Sequence, residues 1–149
     1  MKIVQADETY LEQTASLFDQ YRVFYQQQSD INAARAFINA RFTAKDTVIY
    51  LAINEQHQGM GFTHLFPSFS SVAMQRTYVL NDLFVSADFR KQGVARALMN
   101  TAKAFAEKNG AFALKLATAK DNHAAKALYD QLGYKQIKLF DYYTLSTKK

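Results

Sequence analysis

The succession of hydrophobic patterns along the chain predicts a mixed α/β (α+β) fold in which helices cover both faces of one sheet. Three observations lead there. Two helical patterns follow a short N-terminal strand, a hairpin pattern follows them, and a strand, a helix and a strand then succeed one another between Tyr78 and Thr118. A strand–helix–strand crossover is what a parallel pair requires, whereas the hairpin requires antiparallel pairing. The 149 residues, 49% of them hydrophobic, suit a single domain spanning 1–149 that buries a core without covalent staples.

The first strand is expected around Lys2 to Gln5. Asp7, or the capping box Thr9-x-x-Glu12, can start a helix whose apolar stripe is Leu11, Ala15, Phe18, Tyr21 and Tyr25. Gln26-Gln27-Gln28-Ser29 interrupts it, and Asp30 can cap a second helix with Ile31, Ala34, Phe37, Ile38 and Phe42 on its buried side. Val48 to Ile53 and Met60 to Phe66 are β-branched and aromatic runs joined by Asn54 to Gly59, which reads as a hairpin. A polar loop is expected from Pro67 to Ser71. Tyr78 to Val85 is apolar on both faces except at Asn81 and Asp82, so it should be a central strand. Val94, Ala97, Leu98, Thr101, Ala102 and Phe105 form a 3.6-residue stripe that Asn109-Gly110 ends. Ala113 to Thr118 is the next strand, Asn122 can cap a helix that runs to Leu132 before Gly133, and two strands near Tyr134 to Lys138 and Tyr142 to Ser146 close the chain.

Composition narrows the chemistry. There is no Cys, which excludes disulfides, thiolate zinc sites and cysteine nucleophiles and suits a reducing, cytoplasmic setting. The three His, at 57, 64 and 123, lack the spacing that puts two imidazoles on one helix face, so no metal is expected. The most apolar run, Val48 to Ile53, is far below the ~20 residues a bilayer span needs, so no membrane role is expected. The net charge of +5 fits a polyanionic partner, but Lys and Arg are dispersed and form no basic arm, which argues against nucleic acid.

The informative joint is Val85-Ser86-Ala87-Asp88-Phe89-Arg90-Lys91-Gln92-Gly93-Val94-Ala95-Arg96. A buried strand ends, a short loop follows and a helix begins at small residues, so amide N–H groups lie at the positive end of a helix dipole. Such an arrangement binds phosphate, with Gly93 allowing close backbone approach and Arg90 adding charge. Most helix starts with Gly and Arg are only helix starts.

At this joint the sequence resembles the GNAT superfamily of acetyl-coenzyme A-dependent N-acetyltransferases, whose pyrophosphate loop reads Arg/Gln-x-x-Gly-x-Gly/Ala. Here it stands as Arg90-Lys91-Gln92-Gly93-Val94-Ala95. A second block, Asn122-His123-Ala124-Ala125-Lys126-Ala127-Leu128-Tyr129 followed by Leu132-Gly133-Tyr134, is similar to the family's Asn, small residues, Tyr and Leu-Gly-Tyr/Phe. The resemblance spans roughly Val48 to Ser146. It implies a mostly antiparallel sheet in which the central strand splays from the next, opening a slot for the cofactor.

Carried to these positions, the resemblance implies that Leu83, Phe84 and Val85 offer backbone groups to pantetheine. Arg90, Lys91, Gln92, Gly93, Val94, Ala95 and Arg96 would hold the pyrophosphate, and Asn122 and Ala125 would border the cofactor. Asn122 as a simple helix cap is the structural alternative, and both roles are compatible. Tyr129 stands at the family's acid position, where a phenol can protonate the departing thiolate; the alternative is a packed aromatic beside Ala125, Leu128 and Leu132. The strand Tyr78-x-x-Asn81-Asp82-Leu83-Phe84-Val85 resembles the diamine and polyamine acetyltransferases of the histone/polyamine branch, with Asn81 in place of their acid. Either Asp82 serves as base, or Asn81 positions a water, or the amine arrives neutral. A buried, satisfied Asp82 is an equal alternative.

An acceptor pocket is expected from the first two helices and the loop at Pro67 to Ser71, with Tyr21, Tyr25 and Asp30 as its chief residues and Phe24, Phe66, Phe69 and Tyr143 as further aromatics. Acetyl-coenzyme A and a small amine or lysine-bearing acceptor are the expected partners. Aromatics near the terminal strands suggest a homodimer. The rival expectation is a non-catalytic module that binds acetyl-coenzyme A or acidic partners.

Overall fold

Four antiparallel and parallel ladders build one sheet in the order β1-β2-β3-β4-β5. In this computed structural model, which describes residues 1–148, β1 (Lys2–Gln5) pairs with β2 (Val48–Ile53), β2 with β3 (Gly59–Ser70), and β3 with β4 (Gln75–Val85), all antiparallel. Only β4 and β5 (Ala113–Leu116) run parallel, joined by the crossover helix α3 (Val94–Lys108). The mixed, mostly antiparallel fold is therefore the one expected. The chain divides into two compact units, Met1–Ala117 and the residues from Thr118 onward.

In the first unit, alternation along the strands feeds two cores. Helices α1 (Leu11–Phe24) and α2 (Ile31–Ala44) supply Leu17, Ile38 and Phe42 to a cluster with Ile49, Leu51, Phe62 and Phe84. Val94 and Leu98 of α3 pack with Ala52 and Met60, against which Tyr50, Leu83 and Val85 also rest. Neighbours on one strand go to opposite clusters, as a two-residue side-chain period dictates.

Local chemistry sets the boundaries. Asp7, rather than the capping box at Thr9, starts the first turn by accepting the Thr9 amide at 3.0 Å. Glu12 instead reaches across to Arg35 of α2 with both carboxylate oxygens, at 2.9 and 3.0 Å. Asp30 caps α2 by accepting the Ala33 amide at 3.1 Å. The α1–α2 turn is pinned from behind by the buried Asp19, which accepts from Ser29 Oγ at 2.6 Å and from the Asp30 amide at 2.8 Å. Asn109 and Gly110, the latter at φ 72°, end α3 as expected.

Two expectations are corrected. Pro67 to Ser71 is not a loop: β3 continues to Ser70, Pro67 lies opposite Tyr78, and the turn to β4 follows Ser70. Proline is tolerated because β2 pairs with β3 only as far as Val48 opposite Leu65, so beyond that point β3 has an open edge that needs no donor. In the second unit, α4 (His123–Gln131) forms with Asn122 as its cap and Gly133 at φ 89°, but no strand forms at Tyr134 to Lys138 or Tyr142 to Ser146. Ile137, Leu139, Phe140, Tyr142, Tyr143 and Leu145 are 61–94% exposed. An isolated pair of short strands is marginal in water, and among the described residues of the second unit there is no strand to support them.

Candidate functional site

The site-bearing part of β4 begins where its pairing with β5 ends. The last parallel pair is Leu80 with Leu116, so Asn81 to Val85 run on without a strand on the β5 side. On the other side the register with β3 slips: Leu65 faces Leu80 and His64 faces Asp82, leaving Asn81 as an extra residue. This β-bulge reverses which residues face which layer. Before it, the even-numbered Tyr78 meets Phe105 of α3 at 5.0 Å between ring centres; after it, Leu83 and Val85 take the α3 side and Phe84 the α1–α2 side. The two adjacent polar residues that interrupt the apolar pattern of this strand thus stand at the bulge.

Asp82 is buried, at 5% exposure, and both its oxygens are engaged. Oδ2 meets Nδ1 of the fully buried His64 at 2.9 Å, and Oδ1 accepts from Asn81 Nδ2 at 2.8 Å. His64 Nε2 meets Thr47 Oγ1 at 2.6 Å, and Thr63 Oγ1 donates to the Asp82 carbonyl at 2.9 Å. His64 also meets the Phe66 ring edge-on at 4.7 Å. The sequence reading missed His64 and Thr47. Their signal was present, since a histidine inside an apolar strand must find a polar partner, and the next strand carried an acid at its apolar centre.

At the joint after β4, a 3-10 turn at Ala87–Phe89 leads to Gly93, the N-cap of α3, at φ 80° with no side-chain cap. A Cβ at Gly93 would meet nothing within 4 Å. The first turn, Val94 to Arg96, therefore starts beside open space with amide donors at the helix's positive end. Lys91 and Gln92 are exposed in the approach, and Lys91 also takes a positive φ, 61°. Arg90 folds back: its Nε donates to Val85 O at 3.0 Å, and its guanidinium lies 5.8 Å from the ring centres of Phe24 and Phe84. Gly61 fixes how closely this joint packs, because a Cβ there would fall 2.7 Å from Phe84 O and 3.2 Å from Val94 Cγ1.

The expected acceptor residues are brought together in part. Tyr21 and Tyr25 meet at 5.0 Å, and Tyr21 also packs on Phe62 at 5.8 Å and Phe84 at 6.2 Å, at the C-terminal end of α1. Asp30 is occupied as the cap of α2, and Phe69 lies exposed on the β3–β4 hairpin, stacked with Arg76. Asn122, Ala125 and Tyr129 belong to the second unit. There Asn122 accepts the Ala125 amide at 3.3 Å, which meets the capping alternative. The Tyr129 ring lies 6.0 Å from that of Tyr134, whose phenol is raised above its ordinary value by burial and then by Tyr129. Among the described residues no group of three His, Cys, Asp or Glu side chains could hold a metal ion, and no helix is long and apolar enough to cross a membrane.

Residues 10–134 match the model of the acetyltransferase (GNAT) family. The chain is 44% identical over 146 residues to the uncharacterized N-acetyltransferase YhfO of Bacillus subtilis, covering 98% of this chain and 97% of that one. A crystal structure of a probable acetyltransferase is 37% identical and superimposes with a TM-score of 0.93 over 100% of this chain and 99% of its own. The structure of AAC(6')-Iy in complex with the bisubstrate analog CoA-S-monomethyl-acetylneamine shares the fold, with a TM-score of 0.80 at 20% identity over 97% of each chain. The chain belongs to the GNAT family of acetyltransferases.

Proposed function

We propose that this GNAT-family chain is one N-acetyltransferase domain that moves the acetyl group of acetyl-coenzyme A directly to a primary amine in a ternary complex, the amine being a small diamine, a polyamine or a lysine side chain. The observation that supports it most is the joint between β4 and α3. A strand edge without a neighbour from Asn81 to Val85 leads within a few residues to an uncapped helix start with open space at Gly93. Those features match an extended amide-bearing arm along the strand and an anionic group at the helix start.

Acetyl-coenzyme A supplies an acetyl group activated as a thioester. Leu83, Phe84 and Val85 are the strand residues whose backbone would pair with its arm, and Arg90 to Arg96 would surround its phosphates. Amine attack forms a C–N bond as the C–S bond breaks, and the proton lost by nitrogen ends on sulfur. Tyr129 is assigned as the donor to that sulfur. Tyr21 and Tyr25 would present ring faces to a cationic acceptor. The exposed aromatics between Tyr134 and Leu145 support assembly into a homodimer, and a monomer mass by light scattering at micromolar concentration would refute that part.

The deciding experiment follows coenzyme A release with putrescine, spermidine, Nα-acetyl-lysine amide and polylysine as acceptors. Turnover with at least one is expected. Absence of turnover with all four, together with no acetyl-coenzyme A binding by titration calorimetry at millimolar concentration, would defeat the proposal.

A further inference from the structure

We propose that Asn81, held by the buried chain Thr47–His64–Asp82, receives and orients the acceptor amine, its Oδ1 accepting an amine N–H while Asp82 takes no proton from the substrate. This rests on the acetyl-transfer reading above and identifies the acceptor-facing group of that site.

Hydrogen-bond direction makes the case. A carboxylate only accepts, so the group that Asn81 offers to Asp82 Oδ1 has to be its NH2, and the amide orientation follows from chemistry. Asn81 Oδ1 then has no partner among the described residues, and the side chain is exposed. The same carboxylate calls for an N–H from the ring, which makes neutral His64 the Nδ1–H tautomer and turns Nε2 into an acceptor for the Thr47 hydroxyl. Donors therefore run Thr47 to His64 to Asp82, with Asn81 entering the same carboxylate from the other side. Every polar atom behind Asn81 is satisfied, and the free acceptor points away from the network.

Position agrees with direction. Asn81 is the bulged residue, and it is the first in β4 beyond the last pair with β5. Asp82 is poorly placed to act as base, because it is 5% exposed and each of its oxygens already holds a donor. An amide carbonyl cannot take the proton, so the acceptor reacts as its free amine. Asn81 contributes geometry, with the lone pair of nitrogen left free for the thioester while one N–H is held. His64, Asp82 and Thr47 are positioning residues that act through it.

The test compares Asn81→Ala, Thr47→Val and Thr47→Ser in the full chain, with acetyl-coenzyme A and whichever of the four acceptors the wild type uses. Loss of one oriented hydrogen bond should lower kcat/KM for the amine about tenfold in Asn81→Ala, with KM for acetyl-coenzyme A changed less than about twofold. Thr47→Val should act in the same direction by about threefold, and Thr47→Ser should restore the wild-type value. Long-range proton–nitrogen correlation spectra should show His64 as the neutral Nδ1–H tautomer, assigned against His57→Gln and His123→Gln chains. An unchanged amine kcat/KM in Asn81→Ala, an equal loss on the acetyl-coenzyme A side, or an Nε2–H tautomer would overturn the proposal. If Thr47→Val fails to fold, Asn81→Ala and the tautomer decide. Wild-type protein that neither turns over any of the four acceptors nor binds acetyl-coenzyme A defeats the acetyl-transfer reading itself, and this inference falls with it.

Discussion

Replacing Gly93 by Asp separates charge from shape at the start of α3. The residue is exposed at φ 80°, and a Cβ there meets no atom within 4 Å, so the substitution strains the backbone without a clash. A left-handed conformation costs an ordinary residue roughly 1–2 kcal/mol, and Asn and Asp somewhat less. For a chain of this length that is a fall in Tm of about 2–6 °C. Gly93→Asn carries the same strain and nearly the same volume without the charge. A carboxylate about 5 Å from a phosphate interacts unfavourably by roughly 1 kcal/mol in a water-like setting and by roughly 3 kcal/mol at a lower surface dielectric. The exposure of Gly93 selects the lower part of that range, so Gly93→Asp should bind acetyl-coenzyme A about 5- to 30-fold more weakly than Gly93→Asn. Titration calorimetry at two salt concentrations provides the measurement, and the gap should narrow at higher salt. Equal affinities for the Asp and Asn chains, within twofold, would refute the assignment of an anionic group to this helix start.

Three further outcomes are expected. Tyr129→Phe should lower the single-turnover transfer rate by ~10²–10⁴-fold with little change in acetyl-coenzyme A affinity, and an unchanged rate would leave Tyr129 a packing residue. Gly61→Ala should lose about 1–3 kcal/mol, or roughly 3–10 °C in Tm, because the added Cβ lies 2.7 Å from the Phe84 carbonyl and 3.3 Å from Val85 Cα, which are backbone atoms that cannot rotate aside. Asp19 is held below the ordinary carboxylate value by Ser29 and then by the Asp30 amide, so its stabilisation is complete above the unfolded-state value and is lost as pH falls through the lower folded-state one. Melting curves of wild type should therefore fall more steeply below pH ~4 than those of Asp19→Asn, and parallel curves would count against the clamp.

What could be read from the sequence was what short-range chemistry dictates. The 3.6-residue stripe from Val94 to Phe105, the caps at Asp30 and Asn122, and the glycines at 110 and 133 each act within a few residues, and each is found where expected. The adjacent Asn81 and Asp82 stood out as polar neighbours inside an apolar strand, but the bulge they occupy is a property of the pairing with β3. Partners distant along the chain carried a fainter signal: Thr47 and His64 are 17 residues apart and His64 and Asp82 are 18, no periodicity links them, and only the need of a histidine in an apolar strand for a polar partner pointed from one to the other. Pro67 misled because its cost depends on whether a neighbouring strand reaches that far, which is a property of β2 and not of β3. The terminal segment is rich in aromatics that favour strands, yet that is a preference only a partner strand can satisfy.

The bulge also lets β4 carry one residue more than its pairing uses. Tyr78 and Leu83 are an odd number of positions apart yet both face α3, which alternation allows only when one residue between them is left out of the count. Deleting Asn81 would therefore restore unbroken alternation with every face kept: Tyr78 on Phe105, Asp82 opposite His64, and Leu83 and Val85 on the α3 side. Changes in chain length are cheap at the turn that follows Ser70, and within β4 a single residue can be lost at the bulge without moving its neighbours to the other layer. The surplus residue is thus one that the ladder itself does not require.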